Sequence, residues 1–425
     1  QINMSTTQKT QSYALPIAMM FLLFFIISFV TGLQNPMAGI LKDQFSLAGW
    51  QAQLANLAVF LAYFFMGIPA GKMLEKIGYK KSALTALIAG FVGVLILFLA
   101  GKVGSFPVYL FGAFISGFSM CILNAVVNPM LTVLGSSEGA NSRLNFGGAL
   151  NSFGGFLAPV LGGLVVGNIA SPQISDTNPL LYLAMGIFAL VFVVLMMVEI
   201  PEPHITATST EKNTHSPLSF RHFILGMVAI FFYVGVEVSI SNTTLNYLIE
   251  ALGVVEKGIA GSIVGTYWLL MLVGRLSGGF LGKKFTAKQM LTTVSSVAIL
   301  FVILSIFLGT STTVSMPAFT GSGFDMASVP LSILFLILCG LCLSVMWPGI
   351  FNLATQGLGK YTAAGSGFFM TMVVGGGIIP IIQAAVVDST GSYPSSYWVV
   401  VAGLGFILFY ALVGSKNVNT DIKVD

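Results

Sequence analysis

Residues 51–81 read QAQLANLAVFLAYFFMGIPAGKMLEKIGYKK. The first 21 residues of this stretch carry no charge, whereas the last ten contain Glu75 and four lysines: Lys72, Lys76, Lys80 and Lys81. An apolar run of about 20 residues matches the thickness of a bilayer core, and an excess of Lys and Arg marks cytoplasmic loops. The stretch therefore predicts a transmembrane helix that ends in a basic cytoplasmic turn.

The composition of the whole chain agrees with this stretch. Of 425 residues, 56% are hydrophobic and 8% are charged, and the mean hydropathy is +0.93. A soluble domain is about one quarter charged, so this chain has too few ionic groups to cover a water-exposed surface. It is therefore predicted to be an integral membrane protein. A soluble enzyme, a nucleic-acid-binding protein and a disordered scaffold are excluded.

Twelve apolar runs of membrane-spanning length follow one another along the chain. The longest polar interruption, 201–220, separates six runs from six. We predict an all-α integral membrane protein with an N-terminal half (1–200), a cytoplasmic linker (201–220) and a pseudo-symmetric C-terminal half (221–425). The runs are numbered here as spans 1 to 12: 14–35, 51–73, 82–101, 106–134, 143–167, 180–200, 221–247, 258–282, 288–310, 328–352, 363–388 and 394–414.

The basic residues predict the orientation of these spans. If both termini are cytoplasmic, only Lys42, Lys102 and Lys257 of the 18 Lys and Arg residues lie on the outer side. This asymmetry satisfies the positive-inside rule and places both termini in the cytoplasm.

The two halves share a pattern of helix-breaking residues. Spans 5 and 11 each contain Gly-Gly followed by Pro at the same spacing, at 154–159 and 375–380. Spans 4 and 10 contain Asn128-Pro129 and Trp347-Pro348. Broken helices at matching positions of two repeats are typical of alternating-access transporters, whose binding site lies between the repeats.

Glu237 is the one acidic residue near the middle of a span. An ionised carboxylate at this depth costs about 2.5–3.5 kcal/mol, so it should face water or a partner group. We expect Glu237 to carry a cation or to bind substrate. The alternative is a carboxyl group satisfied structurally by neighbouring hydroxyl and backbone groups.

Uncharged polar side chains form a second set within the spans. Carboxamides offer both donors and acceptors, which suits the hydroxyls of a sugar, although they also hold helices together in lipid. An aromatic ring such as that of Trp268 can stack on a sugar, with core packing as the alternative. No basic residue is expected near mid-membrane, which favours a neutral substrate. The predicted substrate-binding residues are Gln34, Asn35, Asn124, Asn128, Asn151, Glu237, Asn242 and Trp268.

The turn at 71–81 resembles a signature of the major facilitator superfamily, G-x-L-x-D-R-x-G-R-K, with Glu75 at the Asp position and Lys76 at the first Arg. In that family the signature helps to gate the cytoplasmic side. The resemblance therefore implies a gating role for Glu75, Lys76 and Lys80, and we extend this expectation to Arg143 and Arg275.

Several stretches resemble, more narrowly, the fucose permease and glucose/galactose transporter family. They lie along nearly the whole chain and include Gln53 to Gly71, Asn128-Pro129, Arg143-Leu144-Asn145, Tyr233 to Ser239, Tyr267-Trp268, Gly274-Arg275, Gly357 to Tyr361 and Gly375-Gly376 with Pro380. The resemblance implies transport of a neutral monosaccharide across a bacterial inner membrane.

Three positions depart from that family. Gln34-Asn35 stands where the family has Asn-Asp, Asn124 replaces a second acid, and Gly148 replaces a frequent Gln. An amide keeps the hydrogen bond of a carboxylate but does not titrate, so Glu237 is the carboxylate left to couple a cation. The sequence leaves open a symporter using H⁺ or Na⁺ and a uniporter.

Other function classes are less consistent with these residues. A drug or metabolite exporter of the same fold is the main alternative, because span 5 partly matches an exporter motif through Gly154, Pro159, Gly162 and Gly163. No nucleophile–base pair or phosphate-binding loop indicates an enzyme, and no cofactor or metal is expected. Cys121, Cys339 and Cys342 lie in apolar runs and are interpreted as packing thiols. The protein is expected to be a monomer in the lipid bilayer, with no nucleic-acid partner.

Overall fold

The computed structural model describes residues 12–33, 37–47, 51, 54–166, 169–202, 214–254, 257–319 and 323–425. Each predicted span corresponds to a helix or to two consecutive helices. Eleven helical runs in the described ranges have the length and hydropathy of a membrane span, and Ala140–Val166 has the same length. The helices are Ala14–Leu33, Leu54–Ile77, Tyr79–Val103, Phe106–Val133, Ala140–Val166, Asn178–Met197, Arg221–Asn246, Lys257–Leu281, Ala287–Leu308, Leu331–Ser344 with Met346–Thr355, Thr362–Thr371 with Gly375–Thr390, and Tyr393–Ser396 with Trp398–Phe409.

The outer surface of the bundle is apolar, as expected for a protein in lipid. Large hydrophobic side chains are more than half exposed in several spans, including Phe65, Leu190 and Phe307. A short helix, Met37–Gln44, follows span 1. On a soluble protein, so many exposed apolar side chains would mark sites of aggregation or docking. On a membrane bundle they face the acyl chains of the lipid.

A β-hairpin lies between spans 9 and 10, where the sequence predicted no strand. Strand β1 (Thr313–Phe319) pairs antiparallel with β2 (Phe324–Pro330), with Thr313 opposite Pro330. Met316, Ala318 and Val329 face inward and are buried. Span 10, predicted to start near residue 328, begins as a helix at Leu331, after Pro330 has ended the strand.

Spans 10 and 11 are interrupted near their prolines and glycines. The helix of span 10 breaks at Val345, three residues before Pro348. The helix of span 11 narrows to a 3₁₀ turn at Met372–Val374, before the glycines at 375–377. Proline lacks the N–H that would bond the carbonyl four residues earlier, so Pro348 leaves the Ser344 carbonyl at the break of span 10 available to other donors.

The six N-terminal spans meet the six C-terminal spans at the end of the bundle that carries the basic turns at 71–81 and 278–288, called here the basic end. Span 2 packs on span 11 through Gly71 and Gly367, and span 5 packs on span 8 through Ser142 and Gly282. Glycines let the helix backbones approach closely. The basic end is therefore closed.

Span 8 is less enclosed toward the opposite end. At Gly261 and Gly265 there is open space within 4 Å of the position that a Cβ would occupy. A cleft between the two groups of spans, open away from the basic end, is consistent with this arrangement.

Candidate functional site

The polar groups of span 4 connect it to span 10 across the two groups of spans. Asn128 is fully buried, and its Oδ1 accepts a hydrogen bond of 2.9 Å from the indole Nε1 of Trp347. Its Nδ2 donates to the carbonyl of Asn124 at 2.9 Å. The two residues that precede the matching prolines of spans 4 and 10 therefore bond to each other.

Asn124 lies one helical turn from this bond, on the side away from the basic end. Its Nδ2 donates to the hydroxyl of Tyr63 at 2.7 Å and to the carbonyl of Met120 at 3.2 Å. The side chain is partly exposed, and its Oδ1 has no partner among the described residues. Asn124 thus offers a hydrogen-bond acceptor just above the closed part of the bundle. The sequence did not single out Tyr63, because a tyrosine within an apolar run carries no signal of a polar role.

The prolines of spans 4 and 10 free two carbonyls, and both are bonded by side chains. Pro129 leaves the carbonyl of Ala125 free, and the hydroxyl of Ser366 in span 11 donates to it at 2.7 Å. Pro348 leaves the carbonyl of Ser344 free, and Nε of Arg275 in span 8 donates to it at 3.2 Å. The two prolines therefore free the carbonyl acceptors that hold neighbouring spans together.

Arg275 reaches both groups of spans from span 8. Its Nη1 donates to the Ser152 hydroxyl at 2.7 Å and to the Gly148 carbonyl at 3.4 Å, both in span 5. Its Nη2 contacts the Tyr233 hydroxyl in span 7 at 3.4 Å. A Cβ on Gly148 would lie 3.2 Å from Cδ of Arg275, so glycine leaves the room that the guanidinium needs. The expectation that basic groups stay away from mid-membrane was wrong for this side chain.

Glu237 lies on the same side of span 7 as Tyr233, four residues earlier. The charge of Arg275 acts on the Glu237 carboxylate, and the Tyr233 hydroxyl accepts a bond of 3.4 Å from that guanidinium. The Tyr267 hydroxyl donates to the backbone carbonyl of Glu237 at 3.0 Å. The Glu237 carboxylate therefore lies within the electrostatic influence of one guanidinium. Its partners come from spans 7 and 8.

Trp268 is 41% exposed and packs edge-to-face on Tyr267, with ring centroids 5.1 Å apart. It lies seven residues before Arg275, which is two helical turns, and so shares the face that Arg275 presents to span 5. The indole is thus exposed on span 8, and its substrate-stacking role stays a prediction.

The remaining predicted substrate-binding residues lie in different surroundings. Asn151 donates to the carbonyl of Phe24 at 2.9 Å and joins span 5 to span 1. Asn242 is exposed, and its Oδ1 accepts a weak bond from Ser241 at 3.5 Å. Gln34 and Asn35 lie outside the described residues. The substrate-binding role of all eight residues stays a prediction.

Five residues are predicted to gate the basic end: Glu75, Lys76, Lys80, Arg143 and Arg275. Arg143 donates to the carbonyls of Leu131, Thr132 and Ser136 at 2.7–3.0 Å and so caps the end of span 4. Glu75 and Lys76 are both exposed. Their gating roles, with those of Lys80 and Arg275, stay predictions.

Glu202 provides a further contact at this end that the sequence did not predict. Its carboxylate accepts from the backbone N–H groups of Tyr79 and Lys80 at 2.8 and 3.1 Å, and so caps span 3. The Lys80 ammonium in turn donates to the carbonyls of Met196 and Val198 at the end of span 6. Spans 3 and 6 are thus joined by two caps: the Glu202 carboxylate at the N-terminal end of span 3 and the Lys80 ammonium at the C-terminal end of span 6. Each charge is opposite in sign to the dipole of the helix end that it contacts.

Replacing Glu202 by Ala is expected to lower the free energy of unfolding by about 1 kcal/mol, because two N–H groups of the first turn lose their acceptor. Glu199→Ala, an exposed carboxylate three residues earlier, is the matched control. Denaturant midpoints in detergent micelles measure the difference. Equal midpoints for the two variants would show that the cap contributes no stability.

Residues 20–379 match the family model described as Major Facilitator Superfamily. The chain belongs to the major facilitator superfamily. It is therefore an integral membrane transporter, and its twelve spans are those of a superfamily member.

Two curated relatives of this superfamily member align over nearly their full length. The glucose/galactose transporter of Brucella abortus biovar 1 (strain 9-941) is 30% identical over 97% of this chain and 97% of the relative. The L-fucose-proton symporter of Escherichia coli (strain K12) is 25% identical over 96% and 95%. Both relatives are transporters rather than enzymes.

A solved structure shows the same fold. The crystal structure of the superfamily transporter FucP in the outward conformation matches with a TM-score of 0.84 at 24% identity, covering 96% of this chain and 100% of that chain.

Proposed function

We propose that the protein transports a neutral monosaccharide by alternating access and couples this transport to protons through Glu237. The observation that carries the proposal is the set of groups around the closed part of the bundle: uncharged hydrogen-bonding side chains beside one carboxylate that is balanced by one guanidinium. A balanced pair leaves no net charge to attract an ionic substrate. The relatives named glucose/galactose transporter and L-fucose-proton symporter support the same substrate class.

Asn124 and Tyr63 are the groups proposed to meet sugar hydroxyls on the N-terminal side, and Trp268 is proposed to stack on a sugar from span 8. The free Oδ1 of Asn124 accepts a bond from a hydroxyl, while its Nδ2 is held in place by Tyr63. Aromatic rings bind the apolar face of a sugar and need no charge to do so.

The proposed orientation places the basic end, both termini and the linker 201–220 in the cytoplasm of a bacterial inner membrane. The closed basic end then makes this an outward-open state. The halves 1–200 and 221–425 are proposed to rock about the site between them, and a single chain is proposed to be the transporting unit.

The test is uptake of labelled glucose, galactose, fucose and N-acetylglucosamine into proteoliposomes, each with no gradient, an inward proton gradient or an inward sodium gradient. Concentrative uptake of one sugar under the proton gradient is the expected result. Accumulation only under the sodium gradient would show that the coupling ion is Na⁺ instead of H⁺. Uptake that stops at equal sugar concentrations would show that the protein is a uniporter. Entry of none of the four sugars would contradict the proposal and favour an exporter.

Asn124→Ala is expected to weaken sugar binding by about 5- to 150-fold, since the loss of a hydrogen bond to a buried polar partner costs about 1–3 kcal/mol. Tyr63→Phe is the companion variant. It removes the hydroxyl that positions Asn124 but leaves the amide, so a smaller loss is expected. Equilibrium binding to purified protein measures both, and an unchanged affinity for Asn124→Ala would remove this residue from the site.

A further inference from the structure

We propose that the buried amide of Asn145 in span 5 limits the stability of the closed basic end, because its oxygen loses water on closure and gains no hydrogen bond in return. Closure then carries a free-energy cost that is recovered when the spans separate. The proposal goes beyond the proposed function. It needs neither a sugar nor a coupling ion, since the cost lies in the contact between the spans themselves.

Asn145 lies where span 5 meets span 8. A Cβ on Gly278 of span 8 would lie 2.6 Å from Oδ1 and 3.1 Å from Cγ of Asn145, whose side chain is 0% exposed. Three residues earlier in span 5, the Ser142 hydroxyl donates to the Gly279 carbonyl at 2.6 Å. The amide is therefore covered across the boundary between the N-terminal and C-terminal spans. Gly278 leaves it when the basic end opens.

The two ends of the Asn145 amide have different surroundings. Nδ2 donates to the carbonyl of Asn141 at 2.8 Å and to its Oδ1 at 3.1 Å, so both donor hydrogens are used. Oδ1 is buried and accepts no hydrogen bond from the part of the chain that the structure describes. Exchanging the two ends would place Oδ1 against two acceptors of Asn141, so this orientation is the favourable one. One buried acceptor therefore lacks a donor in the closed state.

Asn145 also supports the closed state through Asn141, so the two effects have to be compared. Nδ2 of Asn141 reaches the Phe285 carbonyl at 3.5 Å and Sδ of Met290 at 3.1 Å, both beyond span 8. The first contact is long for a hydrogen bond and a thioether is a weak acceptor, so their loss changes the ratio of closed to open molecules by about two- to threefold. A buried acceptor without a donor changes it by about 5- to 150-fold. The cost at Oδ1 is therefore the larger effect.

Opening of the basic end removes this cost. Once span 8 has moved away, Oδ1 of Asn145 faces the water that enters between the two spans and accepts the bonds that it lacks on closure. The bonds from Nδ2 to Asn141 lie within span 5 and are kept in both states. Relative to an apolar side chain of the same shape, the amide thus favours the open basic end. A closed state without this cost would open too seldom for rapid transport.

Asn128 provides a contrast within the same boundary. It is also a fully buried amide, but its Oδ1 accepts a bond of 2.9 Å from the indole of Trp347 across the boundary. Replacing Asn128 by Leu removes a bond that is made when the two groups of spans meet. The Leu variants of the two asparagines are therefore expected to act in opposite directions, although both remove a buried amide.

The experiment places spin labels on Ser137→Cys and Lys284→Cys, two exposed positions next to the basic ends of spans 5 and 8, in a chain whose native cysteines are buried. Distance distributions are measured by pulsed electron resonance in reconstituted protein, without sugar and without a pH gradient. Asn128→Leu should add a longer population to the short wild-type distance. Asn145→Leu, introduced into Asn128→Leu, should lower the ratio of long to short distances by about fivefold or more.

Asn178→Leu in the same background is the matched control. Its Oδ1 is also buried without a partner among the described residues, but it lies at the start of span 6, within the N-terminal spans. It should leave the ratio of distances unchanged. Asn145→Ala removes the amide but leaves a cavity, so it should act in the same direction as Asn145→Leu and by less.

A ratio that Asn145→Leu leaves unchanged or raises would overturn the proposal, since the amide would then stabilise the closed end or have no effect on it. An Asn128→Leu protein with only the short distance would overturn it as well, because the boundary would be insensitive to its buried amides. Neither outcome bears on the proposed substrate or coupling ion, which the uptake measurements test separately.

Discussion

Replacing Glu237 by Gln is expected to abolish accumulation of sugar against its gradient and to leave exchange of sugar across the membrane largely intact. A symporter that moves one proton with each sugar gains about 1.4 kcal/mol for each pH unit of gradient, which is a tenfold accumulation. Under a gradient of about two units, the wild type should therefore approach a 100-fold ratio. The variant should approach a ratio of one.

The physical reason is that Gln keeps the shape of Glu but not its titration. Its carboxamide has the same size and keeps hydrogen-bonding groups, so we expect the fold and the sugar site to be retained. It resembles the protonated carboxyl group permanently, and the step in which an empty carrier releases its proton is lost. Exchange does not need that step, because the carrier returns with sugar bound.

Accumulation and exchange are measured on the same proteoliposomes, the first with an imposed pH gradient and the second with equal sugar on both sides. Glu138→Gln serves as the control, since Glu138 is exposed in the turn before span 5. If Glu237→Gln accumulates sugar as the wild type does, proton coupling resides elsewhere in the chain and Glu237 is a structural carboxyl group.

The number and order of the spans were predictable because lipid imposes a simple rule on sequence. A helix must present about 20 apolar residues, and each of the twelve predicted runs corresponds to a helical segment. The breaks in spans 10 and 11 were also foreseeable, because Pro348 and the glycines at 375–377 weaken a helix. The matching breaks expected in spans 4 and 5 were wrong, since Phe106–Val133 and Ala140–Val166 are continuous helices that contain Pro129 and Pro159.

The hairpin was not predictable by the same rule. Its two strands bury Met316, Ala318 and Val329, which is too short an alternation to stand out, and Pro317 and Pro330 argue against a strand. The strands form because they pack on the ends of spans 8 and 10, a tertiary contact that no local pattern reports.

The position of the Arg275 guanidinium shows why site residues are harder to predict than spans. The position of its Cα near the end of span 8 suggested a side chain that extends to cytoplasmic water, as long basic side chains usually do. The side chain turns inward instead, because the Ser344 carbonyl lacks a helical partner and Gly148 leaves space. Both causes lie on other spans. The sequence of span 8 alone does not contain them.

Replacing Gly367 by Ala is expected to give the second large effect, by opening the contact between spans 2 and 11 at the basic end. A Cβ on this glycine would lie 2.6 Å from the backbone N and 2.7 Å from the Cα of Gly71. Backbone atoms of a helix do not rotate away as a side-chain tip does, so the two helices must separate. Overpacking of this kind costs about 1–3 kcal/mol, which lowers the ratio of closed to open molecules by about 5- to 150-fold.

The effect is specific to one state of the transport cycle. Alanine is a better helix former than glycine, so span 11 itself should be no less stable. The penalty arises only where Gly367 meets Gly71, which is in the closed basic end. The variant should therefore bind sugar poorly from the outer side. Spin labels on Ser137→Cys and Lys284→Cys, two exposed positions next to the basic ends of spans 5 and 8, should lie farther apart than in the wild type, because the basic end is open.

Gly377→Ala is the matched control, because a Cβ at Gly377 in the same span meets open space. It should transport at close to the wild-type rate and keep the short label distance. Equal behaviour of the two variants would mean that spans 2 and 11 do not approach this closely in the bilayer. A loss of transport in Gly367→Ala alone would instead show that closure of the basic end depends on the contact between Gly367 and Gly71. Small residues at this crossing would then be what permits the alternation between the two states.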